Sequence, residues 1–275
     1  MSSILKYSTL FFYALTFLVL LMRSHGATNS TPTDKRGLML AFWAIACLLH
    51  AVHLYPRIIT AQGLNLSFYY AISFLLFIIL TLVLILSLKK RREFLGLFLL
   101  PIVMAGIVLT ILKPEVKVAT DSLRGIQLHI VFSLFAFSVL AISTIQSILL
   151  FNQDRQLRNA EFKGITRSLP PLHETEKFLF QTITIGFILL SVALLTGFIF
   201  LENMFQQHIA HKTILSILAW VLFAVLLWGR WKFGWRGRMA IRWTLGGFAF
   251  LILAYLGSKF VQEILLNRVD SLPLT

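Results

Sequence analysis

The chain has 275 residues, of which 58% are hydrophobic and only 13% are charged, and its mean hydropathy is +0.83. A soluble domain usually carries about 25% charged residues, so this composition excludes a soluble globular protein and a disordered chain. The single cysteine, Cys47, excludes an intrachain disulfide and a CxxC redox motif. The composition is that of a multi-pass membrane protein. In such a protein the Lys and Arg behind the formal net charge of +14 indicate, before anything else, which loops lie in the cytoplasm.

Eight apolar stretches are long enough, or nearly so, to cross a hydrocarbon core about 30 Å thick. In lipid they must be helical, because an open strand would leave backbone groups without hydrogen-bond partners. In chain order they are Tyr7–Met22, Leu38–Leu54, Leu66–Leu88, Phe94–Leu112, Ile126–Phe151, Phe178–Leu201, Thr213–Trp228 and Trp243–Leu266. We therefore expect an all-α polytopic membrane bundle that forms a single integral membrane domain over residues 1–275.

The first stretch has a second interpretation. Lys6, a short apolar run and the small residues Ser24, Gly26 and Ala27 also resemble a secretory signal peptide. The residues that follow do not supply a folded exported domain, which favours a retained span. Both interpretations stay open at this point.

The basic residues divide unevenly between the two sets of alternate loops. One set holds 17 Lys and Arg: Arg23, Lys35, Arg36, Lys89, Lys90, Arg91, Arg92, Arg155, Arg158, Lys163, Arg167, Lys177, Arg230, Lys232, Arg236, Arg238 and Arg242. The other set, with both termini, holds 8: Lys6, Arg57, Lys113, Lys117, Arg124, Lys212, Lys259 and Arg268. The positive-inside rule places the larger set in the cytoplasm and both termini on the outer, periplasmic side. Topology explains the run KKRR at 89–92, so no nucleic-acid partner is expected.

This orientation gathers five of the seven histidines on the predicted outer side. They are His50, His53, His129, His208 and His211. The second span runs outward and the fifth inward, so His50 and His129 are expected at similar depth. A lone histidine is most often a packing residue, but several converging ones in costly membrane positions indicate a functional site.

The chemistry of such a site follows from its ligands. Two neutral imidazoles on separate helices are a common axial pair for a b-type haem, and a zinc or copper ion is the alternative. Few carboxylates fall in the outer segments, which argues against a hard cation. No nucleophile and base stand in a catalytic pattern, so an enzyme is not expected. No span carries Asp or Glu near its centre, which disfavours a transporter.

Several segments of the second half carry a recognisable pattern. They are LHIVFSLFAFSVLAISTIQSILLF (128–151), LPPL with Glu174 and Glu176 (169–176), GFILLSVALLTG (186–197), ILSILAWVLFAVLLWGRWKFGWRGRMA (214–240) and GGFAFLILAYLGS (246–258). This half resembles the cytochrome c assembly protein family, the haem-handling membrane proteins of the CcsA and CcmC type. LLHAVHLYPRI (48–58) and GLNLSFYYAIS (63–73) are similar to the HemX/YpjD-like branch. The resemblance divides the domain into a HemX/YpjD-like part, 38–125, and a cytochrome c assembly-like part, 126–266.

The resemblance implies haem held at the outer face by histidines. His129 matches the family histidine before a Trp-rich outer segment, and His50 matches the span-two histidine of the narrower branch. Two departures are clear: ENMFQQHIAHKT (202–213) lacks the Trp-rich signature, and Leu266 stands near the place of a second family histidine. We therefore rank the ligand pair His50–His129 first and His129–His211 second. His53 and His208 are weaker candidates.

The expected function is a haem b-binding protein of the bacterial inner membrane with an auxiliary role in haem handling or cytochrome c biogenesis. Its expected partners are haem, the lipid bilayer, and proteins of cytochrome biogenesis or haem biosynthesis. The HemX relationship implies an alternative, a membrane regulator of a haem-biosynthesis enzyme that acts through the cytoplasmic loop 152–177. A transporter accessory protein is the least supported alternative.

Overall fold

The structure is a computed structural model that describes residues 2–24, 34–60, 63–64, 67–90, 92–112, 124–159, 170–200, 210–257 and 260. Its helices are α1 (Ser2–Ser24), α2 (Asp34–Ile58), α3 (Phe68–Lys89), α4 (Gly96–Leu112), α5 (Arg124–Arg158), α6 (Leu172–Phe200), α7 (Ala210–Phe233) and α8 (Arg238–Ile252). The strands β1 (Ile59–Thr60) and β2 (Gly63–Leu64) form one short antiparallel pair. Within these residues eight helices are long and apolar enough to cross a membrane. The expected all-α polytopic architecture is confirmed.

Several helices extend beyond the predicted apolar stretches. Helix α5 continues past Phe151 to Arg158, and α6 begins at Leu172, six residues before the predicted start. Hydropathy marks where a span leaves the hydrocarbon, whereas backbone hydrogen bonding continues through the polar turns beyond it. Helix α8 ends at Ile252 and a π-helical turn continues to Gly257, while the predicted end at Leu266 lies outside the described residues.

The chain divides into two compact units. Unit 1 contains α1 to α4, and unit 2 contains α5 to α8. Within unit 1, α1 contacts α2 and α4, and α3 contacts α2 and α4. Unit 2 repeats this order, since α5 contacts α6 and α8 while α7 contacts α6 and α8. Each unit is therefore a four-helix arrangement in which successive helices are neighbours and the last returns to the first.

Large side chains facing small ones set the helix spacing in both units. In unit 1 the fully buried Trp43 of α2 lies over Gly96, where an added Cβ would meet the indole at 2.8 Å. In unit 2 an added Cβ at Gly186 of α6 would lie 2.6 Å from the Leu140 side chain of α5. Small residues at such contacts allow the backbones of membrane helices to approach closely.

A mostly buried glutamate lies at one end of each unit. In unit 1, Arg36 Nε is 3.1 Å and Arg23 Nη2 is 3.9 Å from Glu93 Oε1. In unit 2, Arg230 Nη1 lies 3.0 Å from Glu176 Oε1, with Arg236 at 4.0 Å. We call these the arginine ends. They are the ends where the first and third helices of each unit finish and the second and fourth begin.

The contact at Gly186 predicts a specific loss of stability. The change Gly186→Ala should lower the free energy of unfolding by about 1–3 kcal/mol, because the methyl group would overlap Leu140 Cγ and Cδ2. The matched control is Gly246→Ala in α8, where no atom lies within 4 Å of an added Cβ. Thermal unfolding of the detergent-purified variants measures both. Equal midpoints for the two variants would contradict this account of the α5–α6 contact.

Candidate functional site

His50 lies in the interior of unit 1 with both ring nitrogens hydrogen-bonded. Its Nδ1 is 3.2 Å from the Tyr13 hydroxyl of α1, and its Nε2 is 3.1 Å from Ser73 Oγ of α3. The rings of Tyr13 and Phe77 meet the imidazole edge-on, at 5.8 and 5.4 Å between centroids. His50 and Tyr13 are fully buried. Helices α1 and α3 therefore hold this histidine from both sides.

The Tyr13 hydroxyl extends the same group to Cys47. It donates to Cys47 Sγ at 3.7 Å, so its oxygen is free to accept from His50 Nδ1–H. In that arrangement Ser73 donates to Nε2. Cys47 is buried, one turn before His50 on the same helix. The cysteine therefore joins the buried polar group of Tyr13 and His50 in the unit 1 interior.

His53 is buried one turn further along α2 and is engaged by Arg57. Arg57 Nη1 lies 3.0 Å from His53 Nδ1 and 2.7 Å from the His53 backbone oxygen. A guanidinium can only donate, so Nδ1 accepts and a neutral ring carries its proton on Nε2. The lone pair that would bind a metal at Nε2 is then absent in this tautomer.

His129 has the opposite arrangement, near the start of α5 in unit 2. Its Nδ1 lies 2.8 Å from the backbone oxygen of Ala193 in α6. A carbonyl oxygen can only accept, so Nδ1 carries the proton and Nε2 keeps its lone pair. Ser133 Oγ is 3.5 Å from that Nε2. An imidazole that donates from one nitrogen and keeps the other as a base is the usual form of a metal-binding histidine.

His211 lies at the same end of unit 2 as His129. It is an exposed residue in the first turn of α7, and both α5 and α7 begin at the end opposite to the arginine end. His208 lies outside the described residues. No group of three or more His, Cys, Asp or Glu side chains in the described ranges could hold a metal ion.

The structure separates the predicted ligands into two sets. His50 and His53 belong to unit 1, whereas His129 and His211 belong to unit 2. Sequence reasoning missed Tyr13, Ser73 and the Ala193 carbonyl as the groups that fix the two main histidines. The sequence does indicate Ser133 and Arg57, because each follows its histidine by four residues and shares its helix face.

These features define a polytopic helical membrane protein whose two four-helix units each bury or tether histidine. The cytochrome c assembly protein family model matches residues 38–266. The chain belongs to this family. The matched region begins after α1, the helix that contributes Tyr13 to the His50 group.

Three relatives illustrate the similarity. Inner membrane protein YpjD of Escherichia coli (strain K12) is 34% identical over 228 residues, covering 80% of this chain and 85% of that protein. Protein HemX of Brevibacillus brevis is 20% identical, covering 81% of this chain and 77% of that protein. Cytochrome c biogenesis protein CcsA of Prochlorococcus marinus (strain MIT 9515) is 28% identical, covering 32% of this chain and 29% of that protein. No solved structure matches.

The His50 group predicts that one hydroxyl on α1 stabilises unit 1. The change Tyr13→Phe should cost about 1–3 kcal/mol of unfolding free energy, because it removes a hydrogen-bond partner from buried His50. Tyr7→Phe, on the same helix but with an exposed side chain, is the control and should have no effect. Thermal unfolding in detergent compares them. A Tyr13→Phe protein as stable as the control would show that His50 does not depend on this hydroxyl.

Proposed function

We propose that this protein binds haem b through His129 and takes an auxiliary part in haem handling or cytochrome c biogenesis. The observation that carries the proposal is the hydrogen bond from His129 Nδ1 to the Ala193 carbonyl, which leaves Nε2 as a base. Membership of the cytochrome c assembly family supports it, and the CcsA relative is named as a cytochrome c biogenesis protein.

The second ligand we propose is His211. It lies at the same end of unit 2 as His129, and its side chain is exposed. His50, the other candidate, would first have to give up Ser73 at Nε2 or Tyr13 at Nδ1. Haem held by two imidazoles would be a low-spin, six-coordinate group. This chain would contribute the orientation of His129 and an apolar surround from its helices.

We place the protein in the bacterial inner membrane with its arginine ends in the cytoplasm. The E. coli relative is named an inner membrane protein. The asymmetry between 17 and 8 basic residues supports this orientation, because cytoplasmic loops retain Lys and Arg. His129 and His211 would then face the periplasmic side, where cytochrome c biogenesis would need them.

Spectroscopy of the full chain tests the proposal. Detergent-purified protein titrated with haemin should give the Soret and α/β bands of a bis-imidazole haem. The change His129→Ala should lower the haem affinity by at least about tenfold, because it removes the oriented ligand. The control is His173→Ala, since His173 is exposed in the first turn of α6 at the arginine end.

Two further variants assign the second ligand. With haem bound, His211→Ala should convert the six-coordinate spectrum to a five-coordinate one, while His50→Ala should leave the coordination unchanged. The reverse result would transfer the second ligand to His50. A wild-type protein that takes up no haem, or a His129→Ala protein that binds it normally, would overturn the proposal.

A further inference from the structure

The turn between α7 and α8 carries a basic surface that the haem proposal does not use. The surface consists of Lys232, Arg236, Arg238 and Arg242, all of them exposed. The side chains of Arg236 and Arg238 are 65% and 57% exposed. They lie at the arginine end of unit 2, opposite to His129.

The carboxylates nearby do not neutralise this surface. Arg230, which points inward, takes the closest position on Glu176 at 3.0 Å, so Arg236 stands 4.0 Å from the same oxygen. Asp154 is shared by two arginines: its Oδ2 lies 3.2 Å from Arg158 Nε and 3.6 Å from Arg238 Nε. Among the described residues at this end, three acids (Asp154, Glu174 and Glu176) face eight bases (Arg155, Arg158, Lys177, Arg230, Lys232, Arg236, Arg238 and Arg242). A net positive charge therefore remains for an outside partner.

Exposed aromatic side chains stand beside the bases. Trp231 is 83% exposed, and Phe233 and Trp228 are also largely exposed. Ring contacts run from Trp228 to Phe233 at 6.3 Å, from Phe233 to Trp235 at 6.3 Å, and from Trp235 to Trp243 at 5.6 Å. Such aromatic side chains concentrate at the level of lipid headgroups. The bases and the rings thus mark a membrane interface.

The backbone keeps the two groups together. Gly234 has φ 67° and Gly237 has φ 51°, conformations that only glycine adopts freely. The amide of Trp235 donates to the Gly229 carbonyl at 3.2 Å, which closes the end of α7. Helix α8 begins at Arg238, so Lys232 and Arg238 lie on the two sides of one tight turn.

We propose that this basic surface binds the phosphate of an anionic phospholipid from the surrounding bilayer. The exposed apolar face of α7 formed by Ile214, Ile217 and Val221 precedes the aromatic residues, so the bases follow directly on a lipid-facing helix. A soluble acidic protein would meet the charges but would leave Trp228 and Trp231 without a partner. A phospholipid satisfies both, because its headgroup is anionic and its glycerol region accommodates indole rings.

Fluorescence quenching tests this proposal without haem. The full chain is reconstituted in phosphatidylcholine vesicles that contain increasing fractions of tail-brominated phosphatidylglycerol, and tryptophan emission is recorded. Quenching should occur at a lower fraction than with brominated phosphatidylcholine. The double change Lys232→Gln/Arg236→Gln should reduce the preference for the anionic lipid by about fivefold or more.

The control removes the same charge from the same end of unit 2. Arg155→Gln/Lys177→Gln replaces two exposed bases on α5 and α6 and should retain the preference. Equal loss in both double variants would show a diffuse surface charge and overturn the site. No preference in the wild-type chain would also overturn it and leave the surface to an acidic protein partner. Elution as a single species confirms that each variant is folded.

Discussion

Polar side chains carried into apolar helices must find partners within the protein, because hydrocarbon offers none. Within the described helices, Thr16, Ser87 and Thr244 each donate a hydrogen bond to the carbonyl four residues earlier in their own helix. Other polar side chains bond across helices and so connect neighbouring helices. His50 is hydrogen-bonded to side chains of α1 and α3, and His129 is hydrogen-bonded to a backbone carbonyl of α6. The Thr182 hydroxyl of α6 accepts a hydrogen bond from Ser143 of α5. The candidate ligands are thus part of the packing.

At their arginine ends, both units also supply partners within the protein for a charged side chain. Glu93 and Glu176 are each mostly buried, with 12% of the side chain exposed, and each lies between arginines from two further segments. Removing one partner of such a pair is costly because the other charge stays desolvated. In unit 2, Arg230 contacts two further residues besides Glu176. It donates to the Trp235 carbonyl and lies 4.4 Å from the centre of the Phe180 ring.

The sequence predicts the spans well, because a run of about 20 apolar residues has the length and composition of a membrane-spanning helix. It predicts the charged helix ends poorly, since residues 152–158 are polar except for Leu157 and yet remain helical. His129 could be selected from its pattern and from the family resemblance. Its tether could not, because any residue can supply a backbone carbonyl. The Tyr13–His50 contact joins residues 37 positions apart, and nothing local marks it. The contacts that enclose His50 are seen only once α1, α2 and α3 are packed together.

The bond from His129 to a main-chain oxygen has a mechanical consequence. Substitution of the side chain at position 193 does not remove the backbone oxygen that accepts this hydrogen bond. The bond to His129 is therefore retained when residues of α6 are substituted, as long as the helix keeps its register. A sliding of α6 by one residue would instead carry the carbonyl about 1.5 Å along the axis, half the length of the bond. The orientation of the imidazole is therefore sensitive to the axial position of α6 against α5. A displacement deep in the bilayer, at the Leu140–Gly186 contact, would be transmitted to the donor atom three helical turns away.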